Sequence, residues 1–313
     1  MFILICYKIM KIIDDENAYV NSLLLIILLV PIFLIIIFSV SLSYTLANDS
    51  AGDLSSALLT SSSLDVEDEL MYLSMMNMHD LSKYSFDNRQ VLSNSTKMLR
   101  NMIQEDVNKL TAGYYKRGIL INCTIINVYP SDNPFCFDVY YRIESTFIND
   151  SSKHILSKNK IAASIVDSNY PVYDVYPLFM SNVDVVNDSY LYHDNDEAYS
   201  NAHSGIIIKK CPYEDYTSHA HSNTTMIDCL NNHYYHFSHD GLCVFCRLEN
   251  KTTCNHNGLE TFIVPSNKFN QSTSSICHVY FNRTSEGHYN GSLHEFNTSF
   301  IYLDNAHGDK YGY

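Results

Sequence analysis

Six of the nine cysteines and ten of the fourteen histidines in this 313-residue chain fall after residue 204, and their spacing limits the chemistry open to them. The tightest set is Cys243-x2-Cys246-x7-Cys254-x-His256. Two thiolates two residues apart reach one cation through a tight turn, and a later Cys/His pair completes a tetrahedron. Cys211, Cys229 and Cys277 are further donors. Disulfides compete with this reading. With Cys6 set aside, eight cysteines remain, an even number, as a framework of bridges requires. Free thiols are the third reading. The second knuckle is C-x-H rather than C-x2-C, so spacing alone leaves the three open. Cys123 and Cys136 are a further possible disulfide, subject to strand register. The expected cofactor is therefore none, or structural zinc.

His219, His221, His233, His236 and His239 invite a metal or catalytic reading, and suit a packed polar surface with Tyr234 and Tyr235 equally well. The acidic run His193-Asp-Asn-Asp-Glu197 lacks the alternating ligands and the Gly of an EF-hand loop and reads as a solvated loop. No G-x-S-x-G, H-E-x-x-H, P-loop or G-x-G-x-x-G occurs. Ser, His and Asp are too numerous for any triad to be singled out. No catalytic residue is named, and the expectation is a protein that is not an enzyme.

The elements that must position these donors change along the chain. From residue 51 to 115 the pattern is helical. Leu54, Leu58, Leu59, Met71, Met75, Met76 and Met78 recur near helical spacing, and neither Gly nor Pro occurs from Leu54 to Ala112. The Met-rich stretch reads as core or helix–helix packing. Polar residues from Asp80 to Asn88 break it, and a second helix is expected from Ser93 to Leu110, with Met98, Leu99, Met102, Ile103, Val107 and Leu110 as its apolar stripe. The period then becomes two. Residues 118–129, 135–147 and 160–166 read as three strands of an antiparallel meander with one face on the second helix. Residues 168–204 are rich in Asn, Asp and Tyr with weak periodicity. The remainder reads as a small, loop-rich domain too poor in aliphatic residues to hold itself together without staples.

Near the start lies the uncharged run LLLIILLVPIFLIIIFSVSLSYTL, residues 23–46. At about 1.5 Å per residue a helix of this length crosses a hydrocarbon core of about 30 Å. Pro31 should kink it or mark a packing face. The rival is a secretory signal cut near Thr45–Asn48. All eleven N-glycosylation sequons follow the run: Asn48, Asn94, Asn122, Asn149, Asn187, Asn223, Asn250, Asn270, Asn282, Asn290 and Asn297. Lys8 and Lys11 precede it and are the only basic residues before Lys83. Both asymmetries put the N-terminus in the cytoplasm and the body outside. A net charge of −14 argues against nucleic acid as a partner.

The segment Asp15–Asn21, running straight into a Leu/Ile helix, resembles the start of archaeal type IV pilin-like proteins. Tyr129-Pro-Ser-Asp-Asn-Pro-Phe135, Val139-Tyr-Tyr-Arg-Ile143, Ile208–Tyr213, Asp240–Glu249, Gly258–Ile263 and Tyr302–His307 resemble an uncharacterised family of surface proteins of methanogenic archaea. The resemblance implies a membrane-embedded helix, a pilin-like α+β body and a family-specific C-terminal domain, and no known activity. It also implies possible leader cleavage at Ala18. A prepilin peptidase prefers Gly there after basic residues, whereas this chain has Ala after acidic ones.

The fold class expected is α+β: an N-terminal transmembrane helix, a helical stalk, an antiparallel β-meander, then a small Cys/His-rich domain. The boundaries are 1–18 for a cytoplasmic leader, 19–46 for the membrane helix, 47–115 for the stalk, 116–204 for a pilin-like body with a loop, and 205–313 for the Cys/His-rich domain. The function expected is that of a single-pass, membrane-anchored, glycosylated surface protein with a structural or adhesive role. Its partners would be membrane lipid and other pilin-like subunits or surface ligands. An exterior metal-dependent enzyme is the alternative.

Overall fold

The computed structural model describes residues 18–180, 183–186, 189–192, 203–221, 223–263, 278–281, 292–296 and 299–313. The fold is mixed α+β, with an apolar N-terminal helix, small sheets and Cys/His clusters. The chain divides into two compact units, 1–61 and 62–313, a coarser division than the five segments expected.

Helix α1 is Ala18–Asp87; it runs through Pro31 and also through Asp80–Asp87, a polar stretch expected to break it. In the first unit, its stretch Leu29–Leu46 is long and apolar enough to cross a membrane, and none of it is buried within the protein.

In the second unit α1 ends in a Schellman turn. The Gln90 N–H donates to Ser85 O at 3.0 Å and the Arg89 N–H to Phe86 O at 3.2 Å, with Arg89 at φ 48°. Helix α2, Ser95–Tyr115, starts where the Asn94 side chain accepts the Lys97 N–H at 3.1 Å. Its buried face includes Leu99, Ile103 and Val107 of the apolar stripe read in the sequence, with Met98, Met102 and Leu110 half-buried beside them. Val66, Leu70, Met75, Met78 and Leu81 of α1 are also buried, so Met75 and Met78 of the Met-rich stretch are core, while Met71 is exposed. Asn77 donates to Asp106 at 2.9 Å and joins the two helices.

Three strands follow: β1 Ile119–Pro130, β2 Cys136–Phe147 and β3 Asp150–Ser164, an antiparallel sheet in the order β1-β2-β3. Ile119, Ile121, Cys123 and Ile125 point inward while Leu120, Asn122, Thr124 and Ile126 face out. Gln104 of α2 clamps the free edge of β1, accepting from the Ile125 N–H at 2.8 Å and donating to Cys123 O at 2.9 Å. That clamp adjoins the register shift between Ile125 and Asn127, and it satisfies edge groups that would otherwise be open to another chain. The third strand starts ten residues before the expected Lys160. Its ladder follows β2 along its whole length, so backbone pairing extends it through a segment without apolar alternation.

The rest contains α3 (Tyr176–Met180), β4 (Val183–Val186), β5 (Ser189–Tyr192), β6 (His203–Gly205), β7 (Lys209–Lys210), α4 (Ser218–His221), α5 (Asn223–Asn232), β8 (Tyr234–Ser238), α6 (Val244–Leu248), β9 (Gly258–Ile263), β10 (His278–Phe281), β11 (Ser292–Phe296), β12 (Ser299–Leu303) and α7 (Asn305–Tyr311). Strands β4 to β6 form a small antiparallel sheet within the stretch read as weakly periodic. The others make a mixed six-stranded sheet in the order β11-β12-β10-β9-β8-β7. The run His193–Glu197 lies outside the described residues.

This second sheet is fastened to the helices and the meander. The Leu92 N–H donates to Leu248 O at 3.1 Å, and Glu249 accepts from the Ser95 N–H at 2.8 Å and its hydroxyl at 2.7 Å. Phe245 packs edge-on against Phe137. Arg247 and Asp174 form a bidentate ion pair at 2.9 and 2.6 Å, both side chains essentially buried. Tyr235 donates to the same carboxylate at 2.6 Å, and Arg247 also donates to Leu259 O at 3.2 Å.

Candidate metal centres

Four donors meet beneath α4 and α5: Cys211, His219, Cys229 and His236. Cys211 follows β7, which pairs in parallel with β8, and its N–H donates to Tyr235 O at 2.9 Å. That register sets Cys211 beside His236. His219 comes from α4 and Cys229 from α5. The Cys229 Sγ lies 3.3 Å from Cys211 Sγ, 3.2 Å from His219 Nε2 and 3.6 Å from His236 Nε2. Cys211 Sγ is 3.8 Å from His219 Nε2. A tetrahedral zinc with Zn–S of about 2.3 Å and Zn–N of about 2.05 Å has S–S edges of about 3.8 Å and S–N edges of about 3.6 Å. The observed S–N edges of 3.2 to 3.8 Å bracket their value, and the S–S edge of 3.3 Å is about 0.5 Å shorter than its own. A disulfide needs sulfurs about 2.05 Å apart, and both cysteines are free.

The surroundings suit a closed site. Exposure of the four residues is 2% for Cys211, 0% for His219, 1% for Cys229 and 0% for His236. Tyr216 and Tyr311 pack across both imidazoles, with ring centroids 4.9 to 5.7 Å away. Burial, the largest effect, holds His236 below the usual imidazole range and keeps it neutral, the form that binds metal. The Cys229 thiol, donating to Cys211, pulls Cys211 well below the usual thiol range, and the same contact pushes Cys229 up. A divalent cation bound here would displace the thiol proton between them. The Nδ1 atoms of both histidines have no hydrogen-bond partner among the described residues.

The second group is the set of closely spaced residues from the sequence: Cys243, Cys246, Cys254 and His256. Cys243 is the N-cap of α6 and Cys246 lies in its single turn, so both sulfurs reach the helix start. Gly241 and Gly258 let the chain before α6 touch the start of β9, since a Cβ on Gly258 would strike the Gly241 backbone. The Leu259 N–H then donates to Leu242 O at 3.0 Å, which delivers the loop bearing Cys254 and His256 to the helix. His256 Nδ1 is 3.3 Å from Cys254 Sγ and 3.7 Å from Cys243 Sγ. Hydrogen bonds from Cys243, then Cys246, hold Cys254 far below the usual thiol range; contacts with Cys246 and Cys254 push Cys243 up. Cys243 and Cys246 are buried, Cys254 is half-buried and His256 is exposed. A cavity of about 450 Å³ opens beside them, with Cys243, Cys246 and His256 in its wall.

A third cluster joins Asp240, Glu260 and His307. Glu260 is fully buried and bonded to Lys310 and Tyr311, and its other oxygen is 3.1 Å from His307 Nε2. His307 Nδ1 meets Asp304 at 2.8 Å. Burial works against protonation of His307, but Glu260 and then Asp304 outweigh it and raise the group to about 9. His307 pairs with Glu260 and Asp304, and Lys310 with Glu260, so the cluster is an ion-pair hub that ties α7 to β9.

Of the donors read in the sequence, Cys243, Cys246, Cys254 and His256 come together, while Cys211 and Cys229 belong to a separate centre. Cys277 and Cys6 lie outside the described residues. The meander does not join Cys123 to Cys136. Cys123 faces Ile143, seven positions from Cys136 along β2, about 23 Å at strand spacing. Both are free, and burial pushes the Cys123 thiol up to about 12, which leaves it an inert core residue. His219 and His236 are ligand candidates within the five-histidine group. His239 instead is exposed beside Asn257, and His233 makes the turn into β8 at φ 56°. Among the sequons, Asn94, Asn122 and Asn149 are exposed. Asn250 is half-buried, with its side-chain oxygen lacking a partner among the described residues. The side chains of Asn48 and Asn223, and all of Asn187, Asn270, Asn282, Asn290 and Asn297, lie outside the described residues. The clusters could hold a metal ion such as zinc. Comparisons with family models, with curated proteins and with solved structures give no match.

Proposed function

We propose that the protein is a single-pass, membrane-anchored, glycosylated surface protein of pilin-like build, with a structural or adhesive role, whose Cys/His region is held in shape by two structural zinc ions. The main support is the completeness of the donor sets. Each brings four protein ligands within 4.8 Å of one another, and a four-ligand zinc has no open position for substrate. The apolar stretch Leu29–Leu46 and the sequons that follow it support anchorage with the body outside. Zinc replaces the disulfide expectation in this proposal because both clusters hold imidazoles aimed at sulfurs. An exterior metal-dependent enzyme remains the second reading, favoured only by the cavity beside Cys243.

The test is metal analysis of the detergent-solubilised full chain, purified with a reductant. About two zinc per chain, with Cys211, Cys229, Cys243, Cys246 and Cys254 protected from alkylation, is the expected result. Zinc-free protein, or a preparation made without reductant in which Cys211 pairs with Cys229 and two of Cys243, Cys246 and Cys254 pair with each other, would overturn the metal part. Protease treatment of intact cells should remove epitopes beyond Asn48 and spare one before Ile12; protection of both would overturn the topology.

A further inference from the structure

We infer that the two centres differ in what they do with their metal: the Cys211 centre keeps its ion, and the Cys243 centre is an exchange site that gives its ion to small thiol-bearing chelators entering the adjacent cavity. This rests on the zinc reading proposed above.

The geometry separates the centres. Every donor of the Cys211 centre is at most 2% exposed, and its imidazoles are roofed by Tyr216 and Tyr311. A cavity of about 360 Å³ does touch Cys211, but neither histidine nor Cys229 lines it. An entering ligand would meet the 2%-exposed Cys211 alone and none of the other three donors. At the Cys243 centre His256 is exposed and Cys254 half-buried, both on a loop rather than a helix or strand. The cavity of about 450 Å³ is of the size that takes small molecules, and Cys243, Cys246 and His256 all line it. Asn94, Asn127 and Tyr129 give it polar walls.

The exchange balances without any redox partner. The entering thiol forms a metal–sulfur bond as the metal–His256 nitrogen bond breaks, and the thiol's proton passes to the freed imidazole. Further entering thiols replace Cys254, Cys246 and Cys243 in the same way, each proton going to the cysteine released. The ion leaves coordinated by the chelator, and three cysteine thiols and one imidazolium remain. The reverse sequence reloads the site. Zinc favours this, because it exchanges thiolate and imidazole ligands without change of oxidation state.

The test uses the zinc-loaded full chain in detergent micelles, with pyridylazoresorcinol as acceptor and 2-mercaptoethanol as the thiol probe. Zinc content is measured first. Release is then followed by absorbance while brief iodoacetamide pulses, read by mass spectrometry, report which cysteines are uncovered. We expect one zinc to leave at least tenfold faster than the other, at a rate that rises with mercaptoethanol. Cys243, Cys246 and Cys254 should become alkylated in that phase, and Cys211 and Cys229 only in the slow one. His256→Ala should speed the fast phase severalfold and leave the slow phase alone. Release of both ions in one phase, a fast phase indifferent to thiol, or early labelling of Cys211 and Cys229 would overturn the inference, with no variant needed. A reduced chain that holds no zinc at the outset would instead refute the structural-zinc reading, a result visible before any release is measured.

Discussion

The meander and the Cys/His region are held by different physics. In the meander, inward residues of β1 and β2 such as Ile121, Ile125, Phe137, Val139 and Ile143 are buried by alternation, and apolar area does most of the stabilising. In the Cys/His region the fully or nearly buried set includes His219, His236, Arg247, Glu260, Thr261 and His307. Apolar side chains are buried there too, among them Leu242, Phe245, Leu248, Leu259, Ile301 and Leu303, interleaved with these polar groups. Burying charged and polar groups costs several kcal/mol each unless directional partners meet them, so this region depends on geometry being complete. A surface strand pattern tolerates substitution, whereas a closed set of ligands and ion pairs fails when one member goes.

Metal withdrawal should break this comparison most visibly. Chelation of the reduced protein removes binding free energy on the order of 10 kcal/mol per structural site. Hydrogen exchange should show β8 and β9 losing protection while the amides of β1 and β2 keep theirs. Equal loss in both would show that the meander also depends on the metal.

Next in size is the buried ion pair. Arg247→Ala leaves the buried Asp174 carboxylate without its cation, and we expect a loss of about 3–5 kcal/mol in denaturant unfolding. Arg247→Met with Asp174→Leu should cost far less than either single change, because it removes both charges together. A meander substitution, Ile143→Val, should cost only about 1 kcal/mol.

The His307 hub sharpens the contrast through pH. Its folded value, about 9, lies above the usual imidazole value of 6.5. Its contribution is therefore fully present below about pH 6.5 and is lost as pH rises toward 9, worth about 2 kcal/mol. Metal binding by thiolates strengthens over the same range, with the opposite sign. The difference between the native chain and His307→Gln isolates the hub. That difference should shrink from pH 6 to pH 9.5, and a constant difference would refute the assignment.

The smallest effect belongs to the helix that supports the meander. Asn94 is both a sequon and the cap of α2. In unglycosylated protein Asn94→Ala should cost about 1 kcal/mol, and Asn94→Asp should cost almost nothing because it keeps the cap. In glycosylated protein both lose the sugar, so any shared change in behaviour is due to the glycan.

What local pattern can specify was legible in the residues themselves. The uncharged run at 23–46, the apolar stripe on α2 and the inward alternation of β1 and β2 all follow from side-chain period, whereas the break between the two helices falls after Asp87, later than the polar residues from Asp80 suggest. The group Cys243, Cys246, Cys254 and His256 was legible for the same reason, since a short helix start and one loop bring it together. Tertiary structure decided the rest. Cys211 and Cys229 are not spare ligands for that group, because the parallel pairing of β7 with β8 and the placement of α4 and α5 assign them to His219 and His236. Cys123 and Cys136 lie on neighbouring strands, yet ladder register holds them seven positions apart. Which donors share a cation is a matter of distances in space, and at separations of seven to ten residues across several short elements, sequence spacing does not set those distances.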